Sequence, residues 1–151
     1  MIAAIIDFAD LLLCGLLVGA MFGAWLMLQP AGFDSTTYVL VQQNAIRALN
    51  DIMPALGGLT ILVTLAAAIA ARGDRGRLTM LIAAGTCLAA AGLVTRFVNQ
   101  PINATVMTWS AGAPPSDWTV LRDQWWTWHV LRTASALAAF SLIIAAVMHR
   151  T

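Results

Sequence analysis

A chain of 151 residues that is 60% hydrophobic and 10% charged, with a mean hydropathy of +0.82, has too few polar side chains to cover a water-facing surface. Its net charge of +1 gives no basic field for a nucleic-acid partner, and its length allows one compact unit, residues 1–151, without a second domain. All eight basic residues are Arg and all seven acidic ones are Asp, a composition bias without mechanistic content.

Four apolar stretches, residues 5–28, 53–71, 78–98 and 128–148, can each cross a hydrocarbon core of about 30 Å, which takes about 20 helical residues. They predict an all-α transmembrane four-helix bundle with a short outer-side helix between the first and second spans. The first stretch has no Arg or Lys before it and is too long for a cleaved signal, so it reads as a permanent helix. Asp7 and Asp10 fall in its first turns, where they complement the helix dipole and reach water. Gly15, Gly19 and Gly23, with Ala20 and Ala24, form a small-residue face expected to pack the bundle. Ala84, Gly85, Ala89 and Gly92 on the third span, and Ala134, Ser135, Ala138 and Ala139 on the fourth, are expected to do the same. Cys14 and Cys87 lie inside spans and read as small core residues rather than as a disulfide.

The first outer connection, 29–52, predicts a short helix lying along the membrane surface or over the bundle mouth. Asp34, Ser35, Thr36 and Thr37 offer caps, and Tyr38, Val41, Ala45 and Leu49 recur at helical spacing. Gln42, Gln43 and Asn44 there either hydrogen-bond a ligand or face solvent. The turn Arg72-Gly73-Asp74-Arg75-Gly76-Arg77 is cytoplasmic by the positive-inside rule, and Arg150 agrees. Both termini are then cytoplasmic, in a multi-pass protein of a bacterial-type inner membrane. No inverted repeat is visible, which argues against a transporter of that design.

The second outer connection, 99–127, holds the polar residues that call for an explanation. Arg96, Asn99 and Asn103 share a face if the third helix continues past Gln100, although Pro101 disfavours helical angles before it. Asp117 is placed to cap a helix leading into the last span, where Trp125, Trp128, His129 and Arg132 fall on one face. Arg47 and Arg122 can pair with Asp51, Asp117 or Asp123 at the surface. Arg96 and Arg132 lie within or beside apolar helices, where an unpartnered Arg costs at least about 2.5–3.5 kcal/mol. They either snorkel to the headgroups or face an anion. His129 is either a satisfied interfacial histidine or a proton carrier. The six tryptophans suit an interface belt, and an inward aromatic wall would suit a flat apolar ligand.

No cofactor is predicted. His129 and His149 stand twenty residues apart on one helix, about 30 Å, too far to hold one haem between them. No CxxC or HExxH motif is present, although a metal at the outer mouth could draw on His129, Asp117 and Asp123.

One pattern carries a resemblance. Arg-Phe-Val-Asn-Gln-Pro-Ile-Asn from Arg96, then a Trp and a proline-containing loop, then Trp-Trp-Thr-Trp-His-Val-Leu-Arg-Thr-Ala-Ser-Ala resembles the DUF1772 family of four-helix membrane proteins, which includes the anthrone oxygenases. The resemblance implies an oxygenase that converts an anthrone-like phenolic to a quinone without flavin, haem or an obvious metal. His129 would be the base, Arg96 and Arg132 would stabilise enolate and peroxide, Asn99 and Asn103 would orient the carbonyl or phenol, and Trp125 or Trp128 would stack on the ring. The expected partners are membrane lipid, a small aromatic or quinone-like ligand and further copies of the chain in a homo-oligomer. The alternative is a non-catalytic membrane protein that binds a lipid or quinone or assembles with a partner.

Overall fold

In lipid every backbone N–H and C=O must find its partner within the chain, and the apolar stretches meet that demand as helices. The computed structural model describes residues 1–29 and 32–149, so Arg150 lies outside the described residues. Helices α1 (Ile2–Met27), α3 (Ile52–Ala70), α4 (Arg75–Val94) and α6 (Trp118–Met148) form the bundle, and α2 (Ser35–Leu49) joins α1 to α3. A π-helical turn, Thr95–Asn99, continues α4 into α5 (Gln100–Val106). Four helices are long and apolar enough to cross a membrane, so this is a multi-pass membrane protein with an all-α fold.

The third span runs on as one helix from Arg75 to Val106 and passes straight through Pro101. Proline lacks an N–H, and its ring crowds the carbonyl four residues back. The wider π turn just before it absorbs both problems at the start of α5. The inserted register leaves Asn99 fully buried and Arg96 exposed. The last span also starts earlier than its apolar run. Its first turns, from Trp118, stand as an amphipathic extension on the same side as α2 and α5.

The core lies between α4 and α6, with α1 packed against α6 and α3, and α3 against α4. Leu81, Ala84 and Leu88 meet Ala136, Ala139, Ile143 and Ala146, and small side chains let the backbones approach where lipid gives no hydrophobic drive. The Ser135 hydroxyl crosses this interface to the Cys87 carbonyl at 2.8 Å. The expected small-residue faces are only partly the packed ones. Gly15 meets the Phe140 ring, but a Cβ built on Gly19 or Gly23 would touch nothing, and Ala134 and Ala138 face outward. Both cysteines are free, Cys14 buried and Cys87 half-buried.

Asp7 and Asp10 do not reach water as expected; both are buried. Arg77, in the first turn of α4, folds inward instead of joining the solvated turn. Its Nη2 meets both carboxylate oxygens of Asp7 at 2.9 and 3.0 Å, and its Nε donates to the Ala146 carbonyl at 3.0 Å. Asp10 accepts the Thr64 hydroxyl at 2.7 Å, and its second oxygen has no hydrogen-bond partner among the described residues. Asp74 caps α4 by accepting the Arg77 N–H at 3.1 Å.

Candidate functional site

Helix α2 covers the end of the bundle opposite the 72–77 turn. Asp34 caps it, accepting the Thr37 N–H at 2.8 Å and its hydroxyl at 3.0 Å, and these bonds hold the carboxyl below the usual carboxylate range. Of the expected line, Tyr38 is buried and Ala45 and Leu49 are half-buried and line a cavity, while the most buried face is Tyr38, Val39, Gln42, Gln43 and Ile46. Gln43 is drawn in by backbone: its Nε2 donates to the Val106 and Trp109 carbonyls at 3.0 and 2.9 Å, at and beyond the end of α5. Its Oε1 accepts Nη2 of Arg47 at 3.3 Å, so Arg47 does not pair with Asp51. Tyr38 packs its ring on Trp118, and burial pushes its phenol up, so the hydroxyl stays neutral.

Two asparagines of the third span fix Trp125. Asn103 accepts the indole N–H at 2.8 Å and donates to Oδ1 of Asn50, beyond α2, at 3.0 Å. Asn99 donates to the Trp125 carbonyl at 3.1 Å. Held at both ends, Trp125 stacks on His129 with ring centroids 4.8 Å apart and planes within 9°. Asn103→Leu removes the acceptor of a buried indole and a donor to Asn50. We expect it to lower unfolding free energy in detergent by about 1–3 kcal/mol and to shift the tryptophan emission, read in one thermal melt.

His129 is 1% exposed and both its ring nitrogens are engaged. Its Nδ1 accepts Nε and Nη2 of Arg132 at 3.2 and 2.9 Å. A nitrogen that accepts from a guanidinium carries no proton, so the proton sits on Nε2, which donates to the Met21 carbonyl of α1 at 3.2 Å. Arg132 also donates from Nη1 to the Thr95 hydroxyl at 3.0 Å, and that hydroxyl donates on to the Ala91 carbonyl at 2.8 Å. Arg132 is therefore bound inward and does not snorkel. It has no carboxylate partner among the described residues, whose ion pairs are Arg77–Asp7 and Arg122–Asp123. The bonds to His129 and Thr95 use three of the five N–H groups of a guanidinium and leave two free.

These groups line a small cavity, about 50 Å³ of open space, between α1, α2, α5 and α6. Ala20 and Ala24, expected to pack helices, instead leave room on its α1 wall. Gln42 lines it with a buried Nε2 that has no partner among the described residues. Among the described residues Arg132 is the only charged group on the lining, so the feature the cavity complements is an acceptor oxygen, anionic or carbonyl. A second cavity of about 220 Å³ shares Met21, Met53, Pro54, Thr95, Gln100 and Arg132 with the first and continues between α1, α3 and α4.

The residues singled out in the sequence part ways here. Trp125, His129, Arg132 and Asn103 meet at the first cavity, and Asn99 supports them from behind without lining it. Trp128 is half-buried and lines neither cavity, because a step of three from Trp125 turns it to the edge of the helix face. Arg96 is exposed on the rim of the second cavity with no hydrogen bond or ion pair among the described residues. His129, Asp117 and Asp123 do not gather as a metal set among the described residues: both ring nitrogens of His129 are hydrogen-bonded, and Asp123 pairs with Arg122 at the surface. The sequence reading missed Thr95 and Asn50 and left Gln42 undecided. The usable signal was the series Tyr38, Gln42, Ile46 and Asn50, four apart on one face of α2 and its cap.

The family described as Anthrone oxygenase matches residues 43–142, from α2 into α6. No curated protein and no solved structure matches the chain. The matched segment contains Asn103, Trp125, His129 and Arg132 of the cavity wall, and Asn99 behind it. Because it takes in well over half of the chain, the protein belongs to the anthrone oxygenase family.

Proposed function

We propose that the protein is a membrane oxygenase that ionises an anthrone-like phenolic ketone in the Arg132 cavity and lets the resulting carbanion reduce dioxygen. The observation that carries this reading is Arg132 itself. It is a guanidinium inside a spanning helix, held only by neutral acceptors, with two N–H groups free beside a cavity. Such a cation is costly in a membrane unless an anion completes it. An enolate oxygen does so, and it does so more strongly than the ground-state carbonyl, which is the condition for catalysis.

The chemistry then runs on this chain's own groups. The substrate carbonyl accepts from Arg132 and from Nε2 of Gln42, with Trp125 and Ile46 as apolar walls. A methylene flanked by two aromatic rings and conjugated to that carbonyl is acidic. As Arg132 turns from the imidazole to the new oxyanion, Nδ1 of His129 is released and takes the methylene proton, leaving an imidazolium against the Trp125 ring. The carbanion reduces dioxygen, and a carbon–oxygen bond forms as a peroxide. His129 returns its proton to that peroxide, and loss of water leaves the new carbonyl. The sum is one methylene and one dioxygen to one ketone and one water. Arg96 and Trp128 have no step in it. By the charge of the 72–77 turn the cavity lies towards the outer leaflet of a bacterial-type inner membrane, with both termini cytoplasmic.

The test is oxygen uptake by the purified protein with dithranol, above the spontaneous rate, under isotopically labelled dioxygen. Label in the product carbonyl is the expected result. Label from water, or no uptake above the spontaneous rate, ends the proposal. Gln42→Leu is expected to raise KM about tenfold, since it removes one hydrogen bond to the carbonyl. One observation favours a second reading, binding without turnover: both nitrogens of His129 are committed and the first cavity is lined by no carboxylate. A quinone would accept from the same donors, and its co-purification without oxygen uptake would establish that reading.

A further inference from the structure

The second cavity is the larger of the two and the head-group chemistry above does not use it. Its polar lining is confined to Thr95, Arg96, Gln100 and Arg132, all at the end that adjoins the first cavity. Beyond them it is an apolar trough between Leu17 of α1, Gly57, Gly58 and Ile61 of α3, and Leu88 and Gly92 of α4.

The glycines show that the trough is left open rather than packed. A mid-helix glycine costs about 0.5–1 kcal/mol relative to alanine. Membrane bundles usually recover that through close backbone approach. Here they do not: a Cβ on Gly58 or Gly92 would touch nothing within 4 Å, and one on Gly57 would only graze Leu17 at 3.9 Å. Gly58 and Gly92 are exposed, so the missing side chains open the trough sideways to the membrane as well as lengthwise to the Arg132 site.

We propose that the ligand is an amphiphile: its flat phenolic or quinoid head lies in the Trp125–Gln42 cavity with an oxygen on Arg132, and an alkyl or prenyl chain on that ring lies in the Gly57–Gly92 trough. The head follows the function proposed above, and the chain is the new element. A ring without such a chain leaves the trough to a membrane acyl chain, which is the competing occupant.

The test is binding, read by tryptophan quenching and native mass spectrometry on the intact protein in nanodiscs. The probes are dithranol and a dithranol carrying a decyl chain on its outer ring. Wild type is expected to bind the decyl compound at least about tenfold more tightly than dithranol, beyond their difference in partitioning into empty nanodiscs. The decyl compound is expected to displace bound lipid. Gly58→Leu and Gly92→Leu, which fill the trough from a helix with a better helix former, are expected to bring the ratio towards one. Their melting curves show whether they fold, and the milder Gly58→Ala serves if Leu does not. A ratio near one in wild type, a ratio that survives trough filling, or phospholipid that the decyl compound cannot displace would each overturn the proposal. Dioxygen uptake with dithranol is scored separately, so the chain subsite and the oxygenase reading can fail independently.

Discussion

Arg132→Leu is expected to lower kcat for dithranol-dependent oxygen uptake by at least about a hundredfold while the protein remains folded, the scale of losing one preorganised donor to a developing oxyanion. Leu removes a desolvated cation and leaves neutral groups behind, Nδ1 of His129 and the Thr95 hydroxyl, so the bundle loses little. The split between constants is the informative part. If Arg132 only anchors the ground state, KM rises and kcat stays; if it meets charge that develops in the reaction, kcat falls. Arg132→Lys keeps the charge but cannot bond His129 and Thr95 together, because an ammonium lacks the planar fork. It is expected to recover a minor part of the rate. An unchanged kcat in both variants removes Arg132 from the chemistry.

Why these residues were visible, and others were not, comes down to what periodicity can carry. Trp125, His129 and Arg132 lie at i, i+4 and i+7 on one helix, so helical spacing alone placed them together. Four apolar stretches of bilayer length likewise fixed the number of spans. Gln42 and Gln43 were hidden because hydropathy assigns glutamine to water. Gln43 is buried by carbonyls more than sixty residues away, at and beyond the end of α5, and Gln42 by its place on the wall of a cavity that distant segments build. The π turn was hidden for another reason. Pro101 signalled a disturbance but not whether the helix would break or widen, and widening is what buries Asn99 and turns Arg96 outward. Trp128 shows the limit of the helical wheel itself: a step of three falls on the edge of a face, and only the neighbouring helices decide whether an edge is lined or lost.

At the other end of the bundle, Asp7→Ala and Arg77→Ala are each expected to lower unfolding free energy by about 3–5 kcal/mol, the range for breaking a buried ion pair from one side. The pair is well enclosed, with side chains 11% exposed for Arg77 and 6% for Asp7. Arg77 ties three helices at one point, since it rises from α4, meets Asp7 of α1 and donates to the Ala146 carbonyl in the last turn of α6. Carbonyls there lack a helical partner and carry the negative end of the helix dipole, so the cation serves both acceptors. Removing Asp7 leaves a desolvated guanidinium with the carbonyl alone, and removing Arg77 takes from Asp7 the donor that meets both its oxygens. The double variant removes both charges and is expected to cost clearly less than the sum of the singles, a coupling read by a double-mutant cycle of chemical unfolding in detergent. Additive losses would mean that water or lipid headgroups already solvate the two groups separately. In that case Asp7 would sit at the membrane surface as its place in the sequence first implied, and the joint between α1, α4 and α6 would rest on apolar packing alone.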